Sequence, residues 1–175
     1  TSDTPCAIIM EDDCDLSVVK HWPFTWKEFY ARMPFDYDLV QLAVINPGAL
    51  HVALHKRFVN DFSTACYMIT RHHAKKLIDL CYRDGKYKLD YKAKPRCNSE
   101  HLIYESGNSF AMPVLLFSPP HLESMIWNKQ HIDTFHVPSR DGIREWWTNQ
   151  ASEVNWEQLF DYDPYLGRLP AMEQK

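Results

Sequence analysis

"CAIIMEDDCDLS", residues 6–17, is the stretch on which the fold turns. An apolar run of Ala7, Ile8, Ile9 and Met10 ends abruptly in Glu11, Asp12 and Asp13, with Asp15 close behind. Adjacent carboxylates repel one another, so either the turn that carries them is well solvated or a cation sits on it. The run itself, residues 5–10, reads as a short, fully buried strand of the kind found inside a parallel or mixed sheet. In open α/β sheets, ligands bind outside the carboxyl ends of the strands. Asp12 and Asp13 stand at such an end.

Outward from that strand, elements alternate. Thr25 and Glu28 have capping-box spacing before a helix over residues 26–33, with Trp26, Phe29, Tyr30 and Met33 on one face. A strand at residues 39–44 is stopped by Asn46-Pro47-Gly48. Residues 51–59 alternate weakly and read as a strand near the surface. A further strand at 64–69 is rich in β-formers, and Thr70 caps a helix over 72–81 with Ala74, Leu77, Ile78 and Cys81 inward. Asp84-Gly85 reads as the stop of that helix. A basic irregular connector, residues 86–96, precedes a short helix in "EHLIYES", capped by Asn98 or Ser99 and closed by Gly107. The last strand falls at 110–116. Pro119-Pro120 breaks structure, "RDGIREWWTNQ" is a late helix, and the chain beyond Asn155 reads as an irregular strap. The order implies an α/β domain, a mixed sheet flanked by helices. No repeat or linker divides residues 1–175, which read as a single domain.

Composition sets the class. At 175 residues, 45% hydrophobic and 14% aromatic, the chain can bury a sizeable core. A net charge of -4, without a long block of one sign, argues against a nucleic-acid partner. No apolar run reaches the length of a membrane span and no secretory signal opens the chain, so a cytoplasmic protein is expected. The five cysteines lack zinc-finger or CxxC spacing and read mostly as buried free thiols. The chain opens on Thr1, as a processed product or a piece of something longer would.

Three segments in order, "AIIMEDDCDLS", "PFDYDLVQLA" and "FSTACYMITRHHAKKLID", resemble the glycosyltransferase family 25 group. That group comprises lipopolysaccharide-type and procollagen galactosyltransferase-like enzymes and relatives in large DNA viruses. Its members run an apolar strand into E-D-D, then a P-x-D-W-D-x-x-Q-L segment, then G-T-x-x-Y-x-I-S-R-x-G-A-K-K-L. Order and spacing agree over residues 7–79, and "EHLIYESGNSFAMPVLLF" continues the likeness. This chain departs in having Ser63-Thr64 for Gly-Thr and His73 where the family usually has Gly. Only ten residues precede Glu11, where the family carries a half-domain that supplies much of its nucleotide pocket.

The resemblance implies a GT-A-like sheet lacking the N-terminal nucleotide-binding strands, with an open edge where those would pair. It implies a nucleotide-sugar donor (a UDP-sugar), a glycan or glycoprotein acceptor, and a divalent metal, Mn²⁺ or Mg²⁺. Hard cations take carboxylate oxygens and bridge protein to a diphosphate. Carried over by position, Asp13 is the metal ligand, Asp12 a ribose or metal contact, and Thr64 a contact to the nucleotide. Glu11 shapes the turn. A late histidine completes many such sites. His136 is preferred to His131 because it precedes a loop-forming Val-Pro-Ser.

Glu100 matches an acidic position of the family and is either the general base or a helix-dipole glutamate. Asp38 is either an acceptor contact in catalysis or a strand-edge acid. Arg71, His72, His73, Lys75 and Lys76 open a helix, as a phosphate site or a solvated face. Trp22, Trp26, Trp146 and Trp147 stack on sugars or fill the core. Two other functions stay open. One is a metal-dependent phosphohydrolase, for which no second His/Asp cluster is visible; the other is a non-catalytic sugar-binding or interaction module.

Overall fold

The structure is a computed structural model that describes residues 4–48, 50–88, 99–117 and 128–162. Five strands form one mixed sheet: β1 (Cys6–Met10), β2 (Leu39–Gln41), β3 (His55–Lys56), β4 (Cys66–Thr70) and β7 (Ser109–Ala111). Their spatial order is β1-β4-β2-β7-β3. β2 and β7 are parallel, β4 is antiparallel to β1 and β2, and β3 is antiparallel to β7. The strands β1, β2 and β7 therefore point the same way, and their carboxyl ends share one edge of the sheet.

Alternation along the strands assigns the two faces. Leu39 and Ile69 pack with Ala74 and Leu77 of α2 (Arg71–Cys81) and with Tyr104 of α3 (Ser99–Glu105). Their neighbours Val40, Met68 and Phe110 face the larger core, with Phe29 of α1 (Trp26–Ala31) and with Ile143 and Trp147 of a late helix. Helices thus cover both faces, as an α/β sheet requires. The capping box of Thr25 and Glu28 is formed, and Thr70 Oγ1 accepts from the His73 N–H at 3.2 Å.

The first strand differs from its reading. Residues 6–10 are extended, but they form the sheet edge, and Ile8, Ile9 and Met10 are 44%, 47% and 49% exposed. One neighbour in the sheet leaves one row of backbone groups open, and here both faces of the strand meet solvent. The fully buried apolar run is instead at β2 and the residues after it, Leu42 to Val44. Regular pairing stops at Gln41 because Leu42 and Ala43 both donate to the Cys66 carbonyl, at 2.9 and 3.3 Å, a local bulge. β7 is likewise shorter than residues 110–116: Pro113 has no N–H for the ladder, although Met112 to Phe117 remain buried.

Other boundaries also move. Residues 51–59 contribute only the two-residue β3. The α2 helix ends where the Tyr82 N–H returns to Ile78, and Ile78 is exposed rather than inward. Asp84 and Gly85, at φ 53° and 72°, make the turn of a hairpin between β5 (Tyr82–Arg83) and β6 (Lys86–Tyr87), not a helix stop. The late helix starts earlier than read. α4 (Lys129–His131) enters a π-helical turn (Ile132–His136) that continues into α5 (Val137–Asn149). Val137-Pro138-Ser139 is thus the first turn of α5 and not a loop. Pro138 cannot donate to the preceding turn, and Val137 bonds five residues back to Ile132, the wider π geometry.

Trp156–Phe160 forms a 3₁₀ turn that buries Leu159 and Phe160. Residues 89–98, Pro119-Pro120 and the chain beyond Tyr162 lie outside the described residues. Cys6, Cys14, Cys66 and Cys81 are free thiols. Among the described residues, no helix is long and apolar enough to cross a membrane.

Candidate functional site

The acidic segment leaves β1 and crosses the shared carboxyl-end edge. The Glu11 N–H extends the ladder to Ala65 O at 2.8 Å, and the Cys14 N–H closes a tight turn on Glu11 O at 3.3 Å. Asp15 then exchanges backbone hydrogen bonds with Leu116, at 2.8 and 3.1 Å, beyond the end of β7. The carboxylates accordingly stand over the carboxyl ends of the parallel strands. Asp12 is exposed.

Asp13 is half-buried, and its Oδ1 is enclosed without a hydrogen-bond partner. An enclosed, unpaired acceptor costs about 1–3 kcal/mol, so this oxygen is the anomaly of the segment. His136, whose charge this carboxylate influences, packs its ring edge-on against Phe117 at 5.6 Å and against His131 at 5.3 Å. Burial holds the His136 pKa below the usual histidine value; His131 adds to that, and the nearby Asp13 carboxylate opposes it. A neutral imidazole keeps a lone pair for a metal.

Four residues on, Arg140 Nη2 donates to Asp15 Oδ2 at 2.6 Å, and its side chain is only 4% exposed. Burial pushes the Asp15 carboxyl up, but hydrogen bonds from Ser17 and the Arg140 guanidinium hold it below the usual range. The Arg140 atoms Nε and Nη1 have no acceptor. Among the described residues the other enclosed side-chain atom without a partner is His73 Nδ1.

The remaining expected residues divide between the two ends of the sheet. Thr64 lies at this end and donates through Oγ1 to Glu11 Oε1 at 3.3 Å. Glu100, at the start of α3, also reaches this end, where its Oε1 accepts from the Ser63 N–H. Asp38 does not. It precedes β2 at the opposite end, where its backbone carbonyl accepts from Thr70 and its Oδ2 accepts from the Asn108 N–H at 2.9 Å. A Cβ at Gly107 would come within 2.9 Å of the Asp38 Cβ and 2.5 Å of the His73 ring, so this loop closes by backbone approach.

Of the basic segment, His73, Lys75 and Lys76 take separate partners within the protein. His73 is fully buried with Nε2 on Ile103 O at 2.9 Å, and Lys75 pairs with Asp79 at 2.9 Å. The tryptophans pack inward. Trp147 and Trp22 donate to Pro113 O and Val114 O at 2.7 and 3.0 Å, Trp26 stacks on Phe29, and Trp146 abuts Trp147.

Sequence reasoning missed a second polar cluster at the same edge. Asp61, 1% exposed, accepts from Asn46 Nδ2 at 2.9 Å and the Phe58 N–H at 2.7 Å, with His55 Nε2 at 3.3 Å. Burial pushes its carboxyl up, but these contacts hold it below the usual range. Beside it, Gln41 donates to Phe62 O and Ser63 O at 2.8 and 2.9 Å and accepts from Arg57 Nε at 2.9 Å. The one polar residue inside the apolar run "LVQLAV" was its sequence signal.

No group of three or more His, Cys, Asp or Glu side chains converges as a metal cage among the described residues. Asp13 and His136 are a carboxylate oxygen and an imidazole nitrogen, donor types that hard and borderline cations accept. No family model, curated protein or solved structure matches the chain, so the likeness to glycosyltransferase family 25 rests on its three motifs alone.

Proposed function

We propose that this chain is a metal-dependent glycosyltransferase unit that moves a sugar from a UDP-sugar to a hydroxyl of a glycan or glycoprotein. One observation carries the reading: the enclosed, unpartnered Asp13 oxygen beside His136, within the E-D-D segment, at the carboxyl ends of parallel strands. Asp13 supplies a hard oxygen and His136 a neutral nitrogen to Mn²⁺ or Mg²⁺, and the exposed Asp12 stands ready for the metal or the ribose. When bound, the cation offsets the negative charge that grows on the departing diphosphate. Glu100 is the base of this reading: Oε1 is fixed by the Ser63 N–H, and Oε2 receives the proton of the acceptor hydroxyl. Asp38, at the far end, has no part in it.

A thermal melt with Mn²⁺ tests the metal directly, because a cation that binds only the folded state raises the midpoint. A midpoint unchanged by saturating Mn²⁺ sinks the metal reading. Incubation with UDP-sugars, with and without an acceptor, then separates transfer from hydrolysis and from binding alone, which are the signatures of the transferase, the phosphohydrolase and the non-catalytic module. Equal UDP affinity with and without Mn²⁺ counts against a metal bridge.

A further inference from the structure

One ion pair ties the acidic loop to the late helix, Asp15 with Arg140 at 2.6 Å, and His136 of the same helix lies near enough for the Asp13 carboxylate to act on its charge. His136 and Arg140 are four residues apart in a continuous helix, so they project from one face, a turn apart. Asp13 Oδ1 is left unpartnered, and the Asp15–Arg140 pair leaves Nε and Nη1 of the guanidinium unpartnered. Asp15 takes only Nη2, while Asp141 Oδ1 lies 3.8 Å from Nη1, beyond hydrogen-bond reach. Enclosed charged groups are normally paired and fully hydrogen-bonded. Here an acceptor on the loop and a set of donors on the helix stand idle without serving each other. A ligand that satisfies both presents a cation to Asp13 and an anion to Arg140. A divalent cation carrying a diphosphate does so; a neutral sugar or a lone cation does not.

We propose that Arg140 is the anion contact of this site, donating from Nε and Nη1 to a phosphate oxygen of a metal-bound diphosphate. Asp15 positions it by holding Nη2, and the guanidinium turns about that bond to meet the ligand, since its idle edge is enclosed in the free protein. The identity of the diphosphate as a sugar donor rests on the function proposed above, whereas the charge requirement does not.

Calorimetric titration with inorganic pyrophosphate and with UDP, each with and without Mn²⁺, tests the assignment. Arg140→Lys keeps the charge and one bond to Asp15 but removes Nε and Nη1. It is expected to weaken both ligands roughly ten-fold, the scale of one charged hydrogen bond, while circular dichroism and the melting midpoint stay near wild type. Loss confined to UDP assigns the anion to a nucleotide and not to free pyrophosphate. Asp15→Asn keeps a carbonyl oxygen to hold Nη2 but removes the negative charge that offsets the guanidinium, so it is expected to tighten pyrophosphate several-fold. This second variant decides the matter if the first does not fold.

Wild-type affinity in Arg140→Lys, no tightening in Asp15→Asn, or no binding by the wild type at millimolar ligand overturns the assignment. A metal-free loss in Arg140→Lys with no effect of Mn²⁺ on the wild type keeps Arg140 and retires the metal-dependent transferase. A Mn²⁺-shifted midpoint with pyrophosphate binding indifferent to Arg140 does the reverse.

Discussion

Beyond β2 and β3, the Asp61 carboxylate sits 1% exposed with Asn46, Phe58 and His55 on its oxygens. Beyond β1, along the same edge of the same sheet, Asp13 and Arg140 are enclosed with one oxygen and two nitrogens unmatched. The first cluster is closed on itself. Gln41 ties it to the Phe62 and Ser63 carbonyls, and Tyr104 adds a hydrogen bond to Ser63 O at 2.9 Å. Both clusters bury charge, so burial alone does not separate scaffold from site. What separates them is whether the protein answers every donor and acceptor itself. A satisfied network holds the loop between β3 and β4 in place, and an unsatisfied one leaves room in its hydrogen bonding for a ligand.

The largest expected effect falls on the satisfied side. Asp61→Ala strands His55, the Asn46 amide and the Phe58 N–H, and each enclosed donor left unsatisfied costs about 1–3 kcal/mol. Against a typical total of about 5–15 kcal/mol, that threatens folding. Urea denaturation measures it, and a loss below about 1 kcal/mol would show that the cluster is not scaffold. Asp13→Asn is expected to do the opposite. It removes an enclosed charge that the protein does not pair, so the metal-free protein should hold its stability or gain about 1 kcal/mol, while any Mn²⁺-induced rise in the midpoint disappears. If Asp13→Asn destabilises on the scale of Asp61→Ala, the contrast between the clusters collapses.

What the sequence disclosed follows the range of each interaction. Local signals read correctly: the Thr25–Glu28 capping box and the Thr70 cap are settled within four residues of chain. The strand at residues 6–10 was legible as a strand, but its burial was not, because an apolar run says nothing of whether a strand finds one neighbour or two. Pro113 and Pro138 stand in the sequence as local signals of the same kind. Each removes a donor, and each marks where a ladder stops or a helix widens. Asp13 and its neighbours were legible as a candidate site because three carboxylates in a row demand a reason. Arg140 was not, since its pairing with Asp15 spans 125 residues and no local pattern reports it. Asp61 was hidden for the same reason.

Acid separates the clusters by a smaller margin. The folded pKa of His136 is lowered by burial, with His131 adding to it and Asp13 opposing. Below the ordinary histidine value of about 6.5, the unfolded chain takes up a proton that the folded site resists, so stability falls as pH drops. Asp61 and Asp15 have lowered folded values. Their contribution is present above the ordinary carboxyl value of about 3.9 and is lost only as pH falls through their folded values. Between pH 7 and 5, metal-free, the slope therefore belongs to histidine. His51, also held down by burial and by His55, shares it. His136→Gln is expected to flatten the slope by less than about 1.4 kcal/mol per pH unit, the ceiling for one proton. An unchanged slope assigns it to His51 and removes the physical argument for a neutral His136.

The smallest effect is expected at Ser63, and it probes why the closed cluster is closed. Ser63 has φ 103°, in the region that favours glycine, and it stands where the family 25-like motif carries Gly. Its backbone does the cluster's work: the carbonyl accepts from Gln41 and Tyr104, and the N–H donates to Glu100. Its side chain contributes one hydrogen bond, accepting from the Ala65 N–H at 3.0 Å. Ser63→Gly relieves strain of about 1–3 kcal/mol. It forfeits about 1 kcal/mol for the hydroxyl's bond and about 0.5–1 kcal/mol of chain entropy. The terms nearly cancel, and a net gain of up to about 1 kcal/mol is expected, with the hydrogen bonds to Gln41, Tyr104 and Glu100 intact. A loss of about 2 kcal/mol or more would mean that the serine hydroxyl holds the loop. The satisfied cluster would then depend on a side chain at the one position where the motif dispenses with it.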